Sequence, residues 1–163
     1  MPIRSIRYKF SQHFNVPAEE AYKWCTDYDP NDLPLMGEKG KRKIEWIADD
    51  ALMLIDSTQK NGGTLSKKKL VRLFPSTLSW TNTHVAGPYK YSQFLYKIIS
   101  EGKSASRLEF TGLQLENYEE GDKQNLRSLS SRLRKEDSGA WKLLAKQLEK
   151  DLRTKEVVTP PCS

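Results

Sequence analysis

Ile3-Arg4-Ser5-Ile6-Arg7-Tyr8-Lys9-Phe10 opens the chain, and Phe14-Asn15-Val16-Pro17-Ala18-Glu19-Glu20-Ala21-Tyr22-Lys23-Trp24-Cys25-Thr26-Asp27-Tyr28 follows it. The first run alternates apolar and polar residues, the period of a strand, and predicts an extended segment over 3–14. Pro17 suits the first turn of a helix, where its missing N–H is harmless, and Glu19 and Glu20 complement the helix dipole. That helix presents Ala21, Trp24 and Cys25 on one face. Asp29-Pro30-Asn31-Asp32-Leu33-Pro34 stops it, because proline cannot continue a hydrogen-bonded turn, and a short helical turn is expected to end at Gly37.

From about residue 41 the period becomes extended. Ile44, Trp46 and Ala48 alternate with charged or solvent-tolerant positions, Asp49-Asp50 makes a turn, and Ala51 to Gln59 supplies another strand. Asn61-Gly62-Gly63 is a hairpin signal, since glycine accepts positive φ at little cost. Further strands are predicted over 64–74, 77–85, 89–101 and 104–116, separated by Pro75-Ser76, Gly87-Pro88 and Gly102-Lys103. Such short connections make sequential strands antiparallel neighbours. No internal repeat or low-complexity stretch occurs.

The last element is the most periodic. Leu126, Leu129, Leu133, Asp137, Trp141, Leu144, Leu148 and Leu152 follow three- and four-residue steps, an apolar stripe broken by one carboxylate. A continuous helix over 122–155 would extend about 50 Å, longer than a compact domain of this size comfortably covers. A bend or break is therefore expected near Glu136-Asp137-Ser138-Gly139, with Asp137 or Ser138 capping the second half. Pro160-Pro161 marks a frayed tail.

The chain has 163 residues, enough to bury one proper core. Its 37% hydrophobic and 29% charged residues are ordinary for a soluble protein. No stretch approaches the roughly 20 apolar residues of a membrane span, so no integral membrane insertion is expected. The N-terminus lacks the apolar segment of a secretory signal, Cys25 and Cys162 lie too far apart to suggest a disulfide, and the reading is cytoplasmic. A net charge of +6 produces a positive field that would attract an anionic partner. Lys39-Gly40-Lys41-Arg42-Lys43, Lys67-Lys68-Lys69 and Arg132-Leu133-Arg134-Lys135 are short clusters without an aromatic RNA-binding motif, so nucleic acid is not the expected partner. Solvated surface and protection of strand edges explain them more simply, with phosphate-bearing partners as the alternative.

The order of Phe14 to Trp24, the six later strands and the Gly139-Ala140-Trp141-containing final helix resembles the START-like, or SRPBCC, superfamily, which includes Bet v 1-like and polyketide cyclase/dehydratase-like proteins. The resemblance spans nearly the whole chain and is one of pattern and order. It implies an α+β helix-grip fold, in which a curved antiparallel sheet of about seven strands wraps a long C-terminal helix and leaves a cavity. Residues 1–156 would form that domain and 157–163 a flexible C-terminal tail. Members bind lipids, sterols, polyketides, hormones or other apolar molecules, and a minority catalyse reactions on them. The family has no universal catalytic residues to carry over.

The expected lining is Leu78, Trp80, Asn82 and His84 on one strand, Phe94, Tyr96 and Ile98 on the next, then Leu108, Phe110 and Gly112, with Trp141, Leu144 and Leu148 as the helical wall. A fully packed core is the alternative reading of the same aromatic stripe. Within the lining, His84 is a candidate proton-exchanging group, against the plainer reading of a satisfied or exposed histidine. Asp137, if buried, would have a raised pKa suited to acid–base work, against the plainer reading of a helix cap. Asn82 is a plausible orienting contact, and Tyr89, Tyr91 and Tyr96 depend on a register the sequence leaves open. The family resemblance further implies that the loop from Asp29 to Gly37 and the Val85-Ala86-Gly87-Pro88 turn would form the entrance.

With only His13 and His84, and no CxxC or HExxH spacing, no metal is expected. No phosphate-cradling or dinucleotide motif is present, so no cofactor is expected either. Cys25 reads as a packed thiol rather than a nucleophile. The resulting expectation is a binder of a small hydrophobic or amphipathic ligand, lipid- or polyketide-like. The alternatives are a cyclase, dehydratase or hydrolase working in the same cavity, and a chaperone-cofactor or RNA-associated module acting through the basic exterior.

Overall fold

A computed structural model describes residues 2–35, 39–60 and 62–158, without the side chains of residue 60 and of 154–158. Gly37, Asn61 and tail residues 159–163 lie outside the described residues. The elements are β1 (Ile3–Phe14), α1 (Ala18–Cys25), α2 (Asp32–Leu35), β2 (Gly40–Ala48), β3 (Ala51–Lys60), β4 (Gly63–Phe74), β5 (Ser79–Ala86), β6 (Gln93–Ser100), β7 (Ser106–Asn117) and α3 (Leu126–Val158). The strands form one antiparallel sheet in the order β1-β7-β6-β5-β4-β3-β2. The turns join β2 through β7 as neighbours, and β1 pairs with β7 from Ile3↔Asn117 to Phe14↔Ser106.

Several boundaries differ from the sequence expectation. Pro17 is the N-cap of α1 rather than a residue of its first turn. Pro75–Thr77 forms a 3-10 turn, which puts Leu78 in the left-handed region (φ 49°) and delays β5 to Ser79. The chain between β5 and β6 turns until Ser92, so Tyr89 and Tyr91 precede the strand instead of starting it. Trp46 follows the inward parity of Arg42 and Ile44, but it sits on the edge strand β2 and remains 53% exposed.

The largest correction concerns α3. It is one uninterrupted helix of 33 residues, entering the segment expected to be tail, and there is no break at residues 136–139. Asn125 caps its start: the side-chain Oδ1 accepts the Arg127 N–H at 2.8 Å and the backbone oxygen accepts the Leu129 N–H at 3.0 Å. Packing at both ends outweighs the modest helix penalty of a single Gly139. Leu129 and Leu133 join Ile6, Tyr8, Phe94 and Phe110 in one cluster. Ala145 and Leu148 join Phe14, Ala21, Tyr22, Leu52, Leu54, Val71, Trp80, Ile98 and Leu108 in the other. Between these two docked ends the stripe reads Asp137, Ala140, Trp141.

Local hydrogen bonds hold the short helices. Tyr22 Oη donates to the Ser79 carbonyl at 3.0 Å, and Trp24 Nε1 donates to Asp151 Oδ2 at 2.9 Å, tying α1 to both sheet and α3. Gly112, in register with Tyr8 and Phe94, is a packing requirement: a Cβ there would lie 3.0 Å from the rings of Tyr8 and Phe110.

Candidate functional site

Strand alternation delivers a polar wall to the concave face of the sheet. On β3, Leu52 and Leu54 point into the core, and the same parity carries Asp56 and Thr58 inward. On β4, Val71 and Leu73 do the same for Lys67 and Lys69. Register assembles the groups: Arg42 is opposite Asp56, Asp56 is opposite Lys67, and Lys69 is opposite His84. Together they line a cavity of about 150 Å³ between sheet and α3. Tyr8, Phe94, Tyr96, Phe110, Trp141 and Ala140 form its more apolar side, with Asp137 and Gln114 beside them.

Asp56 is the hub of the wall. Arg42 donates to it twice, Nε to Oδ1 at 2.7 Å and an N–H to Oδ2 at 2.9 Å, and Lys69 Nζ donates to Oδ2 at 2.9 Å. Burial alone would raise this carboxyl, but the Arg42 hydrogen bonds and the Lys69 and Arg42 charges prevail and hold its pKa at about 2. Asp32 lies 3.9 Å from Arg42 as a second counter-charge. Lys67 adds another cation, its Nζ 5.2 Å from the Tyr89 ring centroid.

His84 behaves differently from its sequence expectation. Its ring is buried edge-on against Phe94 and near Tyr89. Burial first, then the charges of Lys69 and Lys67, push its pKa down to about 3, so it is neutral across the physiological range. Asp137 is no cap. It lies mid-helix and accepts a hydrogen bond from Tyr8 Oη. Burial and the Asp137 charge keep the Tyr8 hydroxyl protonated, and burial does the same for Tyr96 and for the Cys25 thiol.

Three buried side-chain atoms have no hydrogen-bond partner among the described residues: Thr58 Oγ1, Asn82 Oδ1 and His84 Nδ1. All three belong to side chains that line this cavity. Buried polar atoms are normally satisfied, so three such atoms on one cavity set it apart from the packed core.

Of the residues expected at the site, Asn82, His84, Phe94, Tyr96, Phe110, Trp141 and Asp137 share the cavity. Trp80, Leu144 and Leu148 do not reach it. Trp80 stacks on Tyr96 at 4.8 Å within the core, Leu148 belongs to the same core cluster, and Leu144 is buried. Leu78, Ile98 and Leu108 also belong to the core. Tyr89 lines the cavity, whereas Tyr91 is exposed. The two loops considered as an entrance contribute Leu33, on α2, and Tyr89, just past the Gly87-Pro88 turn. Arg42, Asp56, Thr58, Lys67, Lys69, Gln114 and Tyr8 were not foreseen. The period-two spacing of Lys67 and Lys69 with Val71 and Leu73 is the signal that identifies two of them.

Solved structures share this architecture. An aromatase/cyclase from a Streptomyces species superposes with a TM-score of 0.69 at 9% identity, covering 91% of this chain and 93% of its own. A point mutant of norcoclaurine synthase from Thalictrum flavum gives a TM-score of 0.69 at 11% identity, covering 96% and 99%. A START superfamily protein from Mycobacterium smegmatis gives 0.65 at 14%, covering 91% and 98%. The chain has the START-like helix-grip fold. No protein-family model matches the sequence, and no curated protein matches it. What the START-like likeness establishes is architecture, since these identities lie far below the level at which residues or ligands carry over. The described residues contain no helix long and apolar enough to cross a membrane, and no group of three or more His, Cys, Asp or Glu placed to hold a metal.

Proposed function

We propose that the protein binds a small amphipathic molecule in the cavity between the sheet and α3. The observation that carries this reading is the gathering of three unsatisfied buried polar atoms, Thr58 Oγ1, Asn82 Oδ1 and His84 Nδ1, on side chains of one cavity whose other side is aromatic. A polar group on the guest would satisfy them, and a ring or short apolar body would pack on Phe94, Tyr96 and Phe110. At about 150 Å³ the space matches a benzene-sized guest and falls below the roughly 300–1,000 Å³ usual for ligand pockets. A single-ring molecule therefore fits better than a lipid or polyketide. The solved START-like structures that bind or transform small molecules support the general reading.

An acid–base enzyme working in the same cavity has less support. A histidine held near pKa 3 is a weak base at neutral pH, and the Tyr8 hydroxyl is committed to Asp137.

Native mass spectrometry of freshly purified protein, followed by extraction and identification of any retained compound, tests the proposal. A one-to-one adduct of low molecular mass is expected. The adduct should be lost in Phe110→Trp, which fills the space with a larger ring. Bare protein together with a cavity that takes up only water in a crystal structure would overturn it.

A further inference from the structure

The two edges of the sheet are treated differently. Along β1, α3 packs on the strand and Ser130 Oγ donates to the Arg7 carbonyl at 2.8 Å. Along β2, the other edge, no further strand pairs among the described residues, and Trp46 and Ile47 are 53% and 61% exposed. An open edge offers its unpaired N–H and C=O groups to another strand. We propose that the strand it takes is β2 of a second copy of this chain, antiparallel, with a two-fold axis at Ile44. This interface is independent of the cavity reading.

Backbone phasing is the first support. The Gln59 N–H donates to the Lys39 carbonyl at 3.1 Å, and the register continues from Gly40↔Thr58 through Lys43↔Ile55 to Glu45↔Met53. Hydrogen-bonded pairs alternate along an antiparallel ladder, so Lys41, Lys43 and Glu45 turn their N–H and C=O toward β3. Those of Arg42, Ile44 and Trp46 turn outward. An axis at Ile44 sets Ile44 opposite its own copy and Arg42 opposite Trp46, all of them outward-facing, and each such pair exchanges two N–H···O bonds. The bulge between Trp46 and Ala48 ends the regular run where this pairing ends.

Side chains select the register. Lys43 and Glu45 share the outer face of β2 and lie 2.9 Å apart within the strand. With the axis at Ile44, Lys43 of each copy stands opposite Glu45 of the other, a favourable cross-strand pair. Moving the axis to Lys43 would set lysine against lysine, and moving it to Glu45 would set glutamate against glutamate, both unfavourable. Edge lysines ordinarily keep strands apart, but the intervening glutamate makes this edge complementary to itself. On the concave side the half-buried Ile44 meets its copy, and the exposed Trp46 ring covers Ile44 of the other chain diagonally.

Sedimentation velocity of the full chain over about 1–300 µM, the span of weak association, tests the interface together with amide hydrogen exchange. A reversible monomer–dimer equilibrium is expected. The amides of Arg42, Ile44 and Trp46 should gain at least tenfold protection in the dimer, whereas those of Lys41, Lys43 and Glu45, bonded to β3 in either state, should change little. Glu45→Lys should weaken the dimer at least tenfold, and adding Lys43→Glu to it should restore the affinity, because opposite charges face each other again. Ile44→Pro removes an N–H that β3 does not use, and the variant should fold and stay monomeric. Should it fail to fold, the charge exchange alone carries the test. A native chain that is monomeric throughout would overturn the self-pairing, as would protection of those amides only by an extended peptide of another protein. A dimer that tolerates Glu45→Lys, or that the double exchange does not restore, would overturn the register at Ile44.

Discussion

Asp56 holds a part-buried guanidinium and a part-buried ammonium on one buried carboxylate. Asp56→Asn leaves Arg42 and Lys69 without that counter-charge, and a cost of about 3–5 kcal/mol is expected, read as a drop in the denaturant midpoint. Acid has a related effect. With a folded pKa of about 2 against an ordinary 3.8, Asp56 contributes on the order of 2 kcal/mol that is complete above about pH 4 and lost as the pH falls through 2. His84 acts in a higher window and with the same sign. In the unfolded chain it takes up a proton below 6.5, whereas the folded protein resists protonation down to about 3. Stability is therefore full above pH 6.5 and falls as the pH drops toward 3, by up to about 1.4 kcal/mol per pH unit. Chemical denaturation at pH 7 and pH 5 should show this loss in the native chain and a much smaller one in His84→Leu. An equal loss in both would contradict the assignment of the slope to His84.

At the scale of elements, α3 shows what the sequence made legible and what it concealed. Its leucine spacing identifies the helix and the face it buries, because a three-to-four residue period survives without knowledge of the partner. The expected break at Gly139 did not follow, because the docking of Leu129 and Leu133 at one end and of Leu148 at the other was not visible in local propensity. A continuous helix makes a clear prediction: a Cβ at Gly139 meets nothing within 4 Å, so Gly139→Ala should raise stability by about 0.5–1 kcal/mol. A thermal melt showing destabilisation would argue for a non-helical Gly139. The strands follow the same division. Their number and antiparallel order were readable from alternation and turn residues. The polar wall was not, since a triple lysine reads as surface when its partners are unknown. Asp56 and Arg42 become those partners only through a cross-strand register that no single segment specifies.

For the molecule as a whole, closure depends on the pairing of β1 with β7, the first strand with the last. That pairing places Tyr8 and Phe10 beside Phe110, and α3 runs against β1. A chain lacking residues 1–14 would lose Ile6, Tyr8 and Phe14 from both core clusters. It should show no cooperative unfolding transition by circular dichroism. A sharp melt in that truncated chain would mean that β2 to β7 and α3 fold without it. The same organisation separates the scaffold from its capacity. Ala140 meets the cavity from the helix, where its side chain takes no part in the backbone ladder of the sheet. A bulkier residue there would shrink the chamber and glycine would enlarge it, with every strand left in register. The volume offered to a guest can thus drift by single codon changes at the lid while the shell that encloses it stays constant.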